Sequence, residues 1–451
     1  MAKIDALDEF NGLALGDRRR EARVRQVVEA LAADPAAAFP TAMRTTAERE
    51  ALYRLLNNSR VTLEALLAPH VTQTVARIAE RPERPIVAID KTFFVFGGEA
   101  DREGLERVGG NRQGFDSFVA LALSSDRTPH GVLAVHPLEG HGRSPASAWE
   151  DFVDDAAVPT ASVSIQPIYV MDREADAYGL LSALASKAHD FVVRISATRY
   201  VHDGDLVEER AGELAARTPI TMTKTVRLSR RGKGGRSTSE RKKYPPRLMR
   251  DAALSVRACP VTLPKRRHVT NAVADQLELH LVQVLEEHSP EGVEPVEWLL
   301  VTTLPIYDAA CVEAIVDIYR ARWTIEEYFK ALKTGCSFEK RQLESKDALV
   351  TALGLLIPIA WTLLALRTLG DEHPTTAASA VMHPDEIVVL RKLSGDVKLG
   401  AAPTVAEAVR ALAHLGGHFA QNGRPGWLVI WRGMQKLIDR VEGYRLARSE
   451  M

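Results

Sequence analysis

RPIVAID (residues 84–90) is a short apolar run led by proline and closed by an aspartate, and the pattern returns as QPIYVMD (166–172). Continuous apolar runs of this length, without period-two alternation, belong to strands covered on both faces. FVALALSS (118–125), HGVLAVHPL (130–138), FVVRI (191–195) and WLLVTTLP (298–305) add further strands, interleaved with helical segments such as ADAYGLLSALASKA (175–188). The reading is an α/β core. Between 196 and about 297 the pattern changes to alternating strands, ITMTKTVRLS, ALSVRACPVTL and QLELHLVQV, which predicts a β-rich insertion.

Helices flank this core. LGDRRREARVRQVVEALAADP (15–35) starts on a capping Asp17 and carries Val24, Val27, Val28 and Leu31 on one face. TTAEREALYRLLNNSRVTLEALLAPHV (45–71) gives two more helices, broken at Asn57–Asn58–Ser59. The chain turns helical again from 367 and ends in WLVIWRGMQKLIDRVEGYRLARSEM. The expected division is a helical unit over 1–70, an α/β unit over 71–366 holding the insertion, and a helical unit over 367–451. ALVTALGLLIPIAWTLLAL (348–366) approaches the length of a membrane span. Its isolation, its central Pro358 and the charged amphipathic helix before it favour a buried core helix and no membrane.

Composition limits the classes of function. At 451 residues, 46% apolar and 26% charged, the chain has the make-up of a soluble multi-unit protein. Cys259, Cys311 and Cys336 are scattered, which argues against a disulfide framework or a zinc site and for a reducing compartment. MAKIDALDEFNG has no apolar run, so no secretory leader is expected. The net charge of −1 conceals a segregation: Lys224 to Arg250 holds eleven Lys/Arg against Glu240 alone, leaving −11 for the remainder. Basic loops of that density meet polyanions or stand as solvated tracts.

Chemistry enters with YRARWTIEEYFKALKTG (319–335). As one helix, at about 100° per residue, it places Tyr319, Arg322, Glu326, Lys330 and Lys333 within an arc of about 80°. Ile318, Ile325, Tyr328, Phe329 and Leu332 then form the buried face. Glu326–Lys330 taken alone is an ordinary i,i+4 surface pair. Asp90 and Asp172, however, each close a buried strand, where α/β sheets build sites. Two aspartates and one glutamate without His or Cys suit Mg²⁺ or Mn²⁺, hard ions that keep waters and borrow phosphate oxygens. Two such ions support phosphoryl transfer, with nearby cations gripping the phosphodiester.

Tyr319-x2-Arg322-x3-Glu326-x6-Lys333 resembles the Y-R-E-K box of cut-and-paste DDE transposases of the insertion-sequence-four family, of the transposon-five type. MDREADAY around Asp172 resembles that family's second-aspartate motif, and AIDKTFF its first, with Lys91 where the family usually has threonine. LGDRRREAR and EALYRLLNN are similar to its end-binding helices, and GYRLA (443–447) to its dimerisation region. The resemblance implies a ribonuclease-H-like domain with a β-strand insertion, between an N-terminal DNA end-binding domain and a C-terminal dimerisation domain. It implies that Asp90, Asp172 and Glu326 are catalytic and hold two Mg²⁺, with Mn²⁺ able to substitute. Tyr319, Arg322, Lys330 and Lys333 would bind DNA phosphates, and Trp298 would stack on a flipped base or serve as core. Arg19 and Arg23 would read transposon ends, with Arg194 and Arg199 as further backbone contacts.

The implied reaction has four steps: a nick by water, attack of the freed 3′-OH on the other strand to close a hairpin, hairpin hydrolysis, and joining to target DNA. The implied partners are double-stranded DNA, as end repeats and target, and a second copy of the chain in a synaptic homodimer. The implied setting is the bacterial cytoplasm, at the nucleoid when bound. A metal-dependent ribonuclease-H-like nuclease without strand transfer and a non-catalytic DNA-binding repressor are the competing readings. The repressor leaves the three carboxylates without a role.

Overall fold

A computed structural model of the chain describes residues 5–140, 142, 145–205, 207–228, 248–266, 269, 274–395, 397–419 and 425–449. It divides into two compact units, one of 1–143, 154–165 and 323–451, the other of 144–153 and 166–322. The basic tract therefore falls mostly on 229–247, outside the described residues.

The first unit opens with helices laid down by their caps. α1 (Arg18–Ala33) starts where Asp17 accepts the Arg19 N–H at 2.8 Å, and it buries Val24, Val27, Val28 and Leu31 as the periodicity predicts. A short α2 (Phe39–Ala42) leads to α3 (Thr46–Leu56), begun by a reciprocal Thr45–Glu48 capping box. After the Asn57–Ser59 break, α4 (Leu63–Ala79) starts on Thr62.

An antiparallel group follows: β1 (Ile86–Gly97), β2 (Glu106–Gly109), β3 (Arg112–Leu123) and β4 (Pro129–Pro137), with β3 pairing the other three. Here one sequence expectation is corrected. Asp90 lies inside β1 rather than at its end, because KTFFVFG continues the strand. Phe94 and Phe96 are fully buried, and their rings meet Phe115 and Phe338.

The second unit is a mixed sheet. β5 (Ile168–Met171) and β6 (Asp190–Arg194) run parallel and are joined through α6 (Tyr178–Ser186), as a parallel pair requires. α5 (Ala146–Ala161) precedes them in the chain. Beyond β6 the order is antiparallel: β12 (Glu297–Thr302), β11 (Gln276–Leu285), β10 (Arg250–Pro264), then β7 (Tyr200–His202) and β8 (Glu208–Arg210). α7 (Ala211–Arg217) leads into β9 (Ile220–Leu228), which also pairs with β10. Antiparallel group, helix, parallel β-α-β and a β-rich insertion form the mixed, ribonuclease-H-like α/β chain order expected. α8 (Ala309–Ala321), capped by Asp308, packs on β6 and β9.

Returning to the first unit, α9 (Trp323–Lys330) runs into a π-turn (Ala331–Gly335) and a 3₁₀ turn (Phe338–Lys340). α10 (Lys346–Glu372) packs against α4 and β4. Its Lys346–Asp371 stretch is long and apolar enough to cross a membrane, yet 83% of its apolar window is buried inside the protein. α11 (Pro384–Leu393), α12 (Val405–Leu415) and α13 (Trp427–Ser449) close a helical core around Leu366, Leu369, Val409, Leu412 and Leu437.

Candidate active site

In the first unit Asp90 projects from β1 opposite Val119 of β3, and its side chain is nearly closed to solvent. Its Oδ1 accepts the Lys91 N–H at 2.9 Å. α9 packs against β1 and buries Ile325, Tyr328 and Phe329, while Glu326 stays half-buried on this helix beside the Asp90 strand. Lys330 is exposed; its Nζ donates to Glu327 at 2.6 Å and stands 5.6 Å over the Trp323 ring.

Lys333 is placed differently from the expectation of one continuous helical row. The helix breaks at Arg322 and widens in the π-turn, closed by Cys336 N–H to Ala331 O at 2.8 Å. One extra residue in a turn rotates everything after it. The Lys333 ammonium accordingly donates to the Phe93 carbonyl at 2.6 Å, 3.6 Å from Glu339 Oε1 and 5.4 Å over the Phe94 ring. Burial pushes its pKa below the usual lysine value, against the opposing pull of Glu339, Glu326 and Asp116.

In the second unit Asp172 stands directly after β5. Its Oδ1 accepts the Glu174 N–H at 2.8 Å and caps the 3₁₀ turn Arg173–Ala175. Tyr319 and Arg322, near the end of α8, are both buried, and the Arg322 guanidinium donates to the Tyr319 hydroxyl oxygen. Burial raises the phenol's pKa, Arg322 and Arg194 lower it, and Asp172 raises it further. Arg322, Arg194 and Asp172 therefore all lie near enough to the Tyr319 hydroxyl to act on it inside this unit. Trp298 is half-buried at the start of β12, its ring 5.4 Å from that of Tyr319 and tilted 59°. Arg194 donates to the Glu297 carbonyl at 3.0 Å. Arg199 is held by Asp176, Nη1 to Oδ1 2.5 Å, a contact that fixes the turn after β6.

Arg19 is exposed on α1, and Arg23 donates to Gln26 at 2.7 Å on the same helix. Sequence reading passed over two residues that the structure brings into the site's surroundings. Asp116 is buried, pairs with Phe93 in the β1–β3 register and accepts the Gly142 N–H at 2.9 Å. Glu339 meets Lys333 and β1. Neither carries a signal beyond an acid amid apolar residues.

Asp90 and Glu326 belong to the first unit and Asp172 to the second. All three are oxygen donors of the kind hard divalent ions take. Among the described residues no three His, Cys, Asp or Glu side chains gather into one chelating group.

Three family models match in succession: Transposase DNA-binding at residues 6–61, Transposase DDE domain at 81–363, and Transposase Tn5 dimerisation domain at 358–451. Among solved structures, a piggyBac transposase synaptic complex with hairpin DNA aligns over 95% of this chain and 72% of that one, at 10% identity and a TM-score of 0.36. With the DDE model spanning well over half its length, the chain belongs to the DDE transposases, of the Tn5 type.

Proposed function

We propose that this DNA transposase cuts its element free through a hairpin intermediate and joins it to target DNA, with Asp90, Asp172 and Glu326 holding two Mg²⁺. The observation that carries the reading is the packing of α9 on β1, which brings the glutamate of the box to the strand of the buried Asp90. Transposase DDE domains use divalent ions, and when bound these supply charge stabilisation for both oxygens exchanged at phosphorus. The chain's own residues do the positioning. Arg322, Lys330 and Lys333 hold phosphates beside the scissile bond, and a fixed DNA backbone turns each step into an oriented, near-intramolecular displacement. Trp298 offers a half-exposed indole to a base extruded at the hairpin tip. The exposed Arg19 and the half-buried Arg23 of α1 meet the transposon end, and residues 367–451 pair two chains in the synaptic complex.

The deciding experiment incubates the full chain and Mg²⁺ with the element's own flanked end DNA. Hairpin-ended fragments are expected, and joined products once supercoiled target is added. Glu326→Gln should bind the ends and cut none of them. Cleavage by that variant at the wild-type rate would remove the catalytic assignment, and cutting without joining would favour the nuclease reading.

A further inference from the structure

We propose that Glu339 is a positioning residue: its carboxylate fastens the Lys333 ammonium to the edge of β1 and thereby sets the Glu326 helix against the Asp90 strand. The inference rests on the transposase reading above. Glu339 Oε1 accepts the Val95 N–H at 3.1 Å and lies 3.6 Å from Lys333 Nζ, which in turn donates to the Phe93 carbonyl at 2.6 Å. A donor for the carbonyl of one residue and an acceptor for the N–H two residues on is what a parallel strand would present at that edge. Two side chains from one short segment take that place. The segment is clamped beside them by Phe338, fully buried and edge-on to Phe94 at 4.8 Å and Phe96 at 5.4 Å.

The arrangement has a functional consequence. An ammonium has three N–H donors. Phe93 takes one, Glu339 draws a second toward it by charge at 3.6 Å without a hydrogen bond, and the third remains for a phosphate oxygen, with the Lys333 side chain still 25% exposed. Glu339 thus fixes where that third donor points. Without its charge the ammonium can leave the strand edge, and the phosphate grip and the spacing of Glu326 from β1 loosen together.

The test uses the full-length protein in Mg²⁺ with saturating end DNA and reads single-turnover cleavage, end-DNA affinity and thermal melting. Glu339→Gln keeps an acceptor for Val95 but removes the charge. It should melt like wild type, bind ends somewhat more weakly and, with end DNA saturating, cleave about tenfold more slowly, within the coupling usual for contacting residues. In a Lys333→Met background the same change should cost nothing further, because Glu339 acts through that lysine. A wild-type cleavage rate for Glu339→Gln, or a full multiplicative loss in the double variant, overturns the proposal. If Glu339→Gln melts early, Glu339→Asp is put through the same cycle; again a loss that vanishes with Lys333→Met supports the role and an additive one overturns it. Glu326→Gln runs alongside. Should it still cleave, the transposase reading falls; should it be inert while Glu339→Gln is fully active, only the positioning role does.

Discussion

Trp298 touches the Tyr319 ring at a tilt and is half-buried at the mouth of β12, so part of its indole stays open to a planar partner. Base stacking on an aromatic contributes about 1–3 kcal/mol. Trp298→Ala should therefore leave the first nick near the wild-type rate and slow hairpin closure by about 10- to 100-fold. Gel separation of nicked from hairpin DNA reads the two steps apart, and equal loss in both would assign the tryptophan to packing. The neighbouring Tyr319 marks how far residue-scale reading went. Its spacing from Arg322 and Glu326 was legible, since a spacing survives translation into any helix. Its burial was not, since that depends on Arg194 and β12, which arrive from far along the chain. Arg199 shows the converse: a free cation in sequence, it is already bound to Asp176 in the fold.

Elements were legible where local physics decides them. Asp17, Thr45 and Thr62 begin helices where capping chemistry places them, and the apolar runs at 86–89 and 168–171 are strands. Two features were hidden because tertiary contact sets them. One is the continuation of β1 past Asp90, earned by Phe94 and Phe96 against Phe338. The other is the π-turn that breaks the helical row before Lys333. The seam of α4 with β4 is a third case, and it makes stability depend on pH. His70 is fully buried; Nδ1 meets Glu9 Oε2 at 2.5 Å while Nε2 accepts the Val132 N–H at 2.9 Å, so the ring is neutral with its proton on Nδ1. Burial holds the His70 pKa down despite Glu9, and burial with Arg81 and Arg77 holds His130 down to about 4. Glu9 is also lowered, the hydrogen bonds from His70 and Arg77 outweighing burial. Depressed groups bind protons more readily in the unfolded chain, so stability is complete above about pH 6.5 and drains as pH falls toward 4. For His130 alone the loss approaches about 3 kcal/mol. Melting curves at pH 7.5, 6 and 4.5 should step downward, and His130→Gln should flatten the step; an unchanged Tm across that range would contradict the seam.

For the whole molecule the informative quantity is where charge lies, since the total of −1 describes neither the surplus of +10 over 224–250 nor the −11 of everything else. An overall acidic balance repels DNA at long range, so end binding must run through local cation clusters that outweigh it. Each phosphate such a cluster neutralises releases counterions, at a cost of ~0.9 log units of affinity per tenfold rise in salt. If the tract supplies several contacts, the full chain should show a steep linear fall of log affinity for end DNA with log salt. Deleting 229–247, from Ser229 to Arg247, removes eight Lys/Arg and one Glu. The deletion starts just past β9 and stops before β10, so the β9–β10 pairing from Leu228 to Arg250 can persist through the shorter connection. The truncated chain should therefore keep its melting temperature, lose affinity, and bind with a visibly shallower salt slope. Weaker binding at an unchanged slope would mean that the tract shapes the fold around the DNA and leaves the phosphates to α1 and the cations of the Y-R-E-K box.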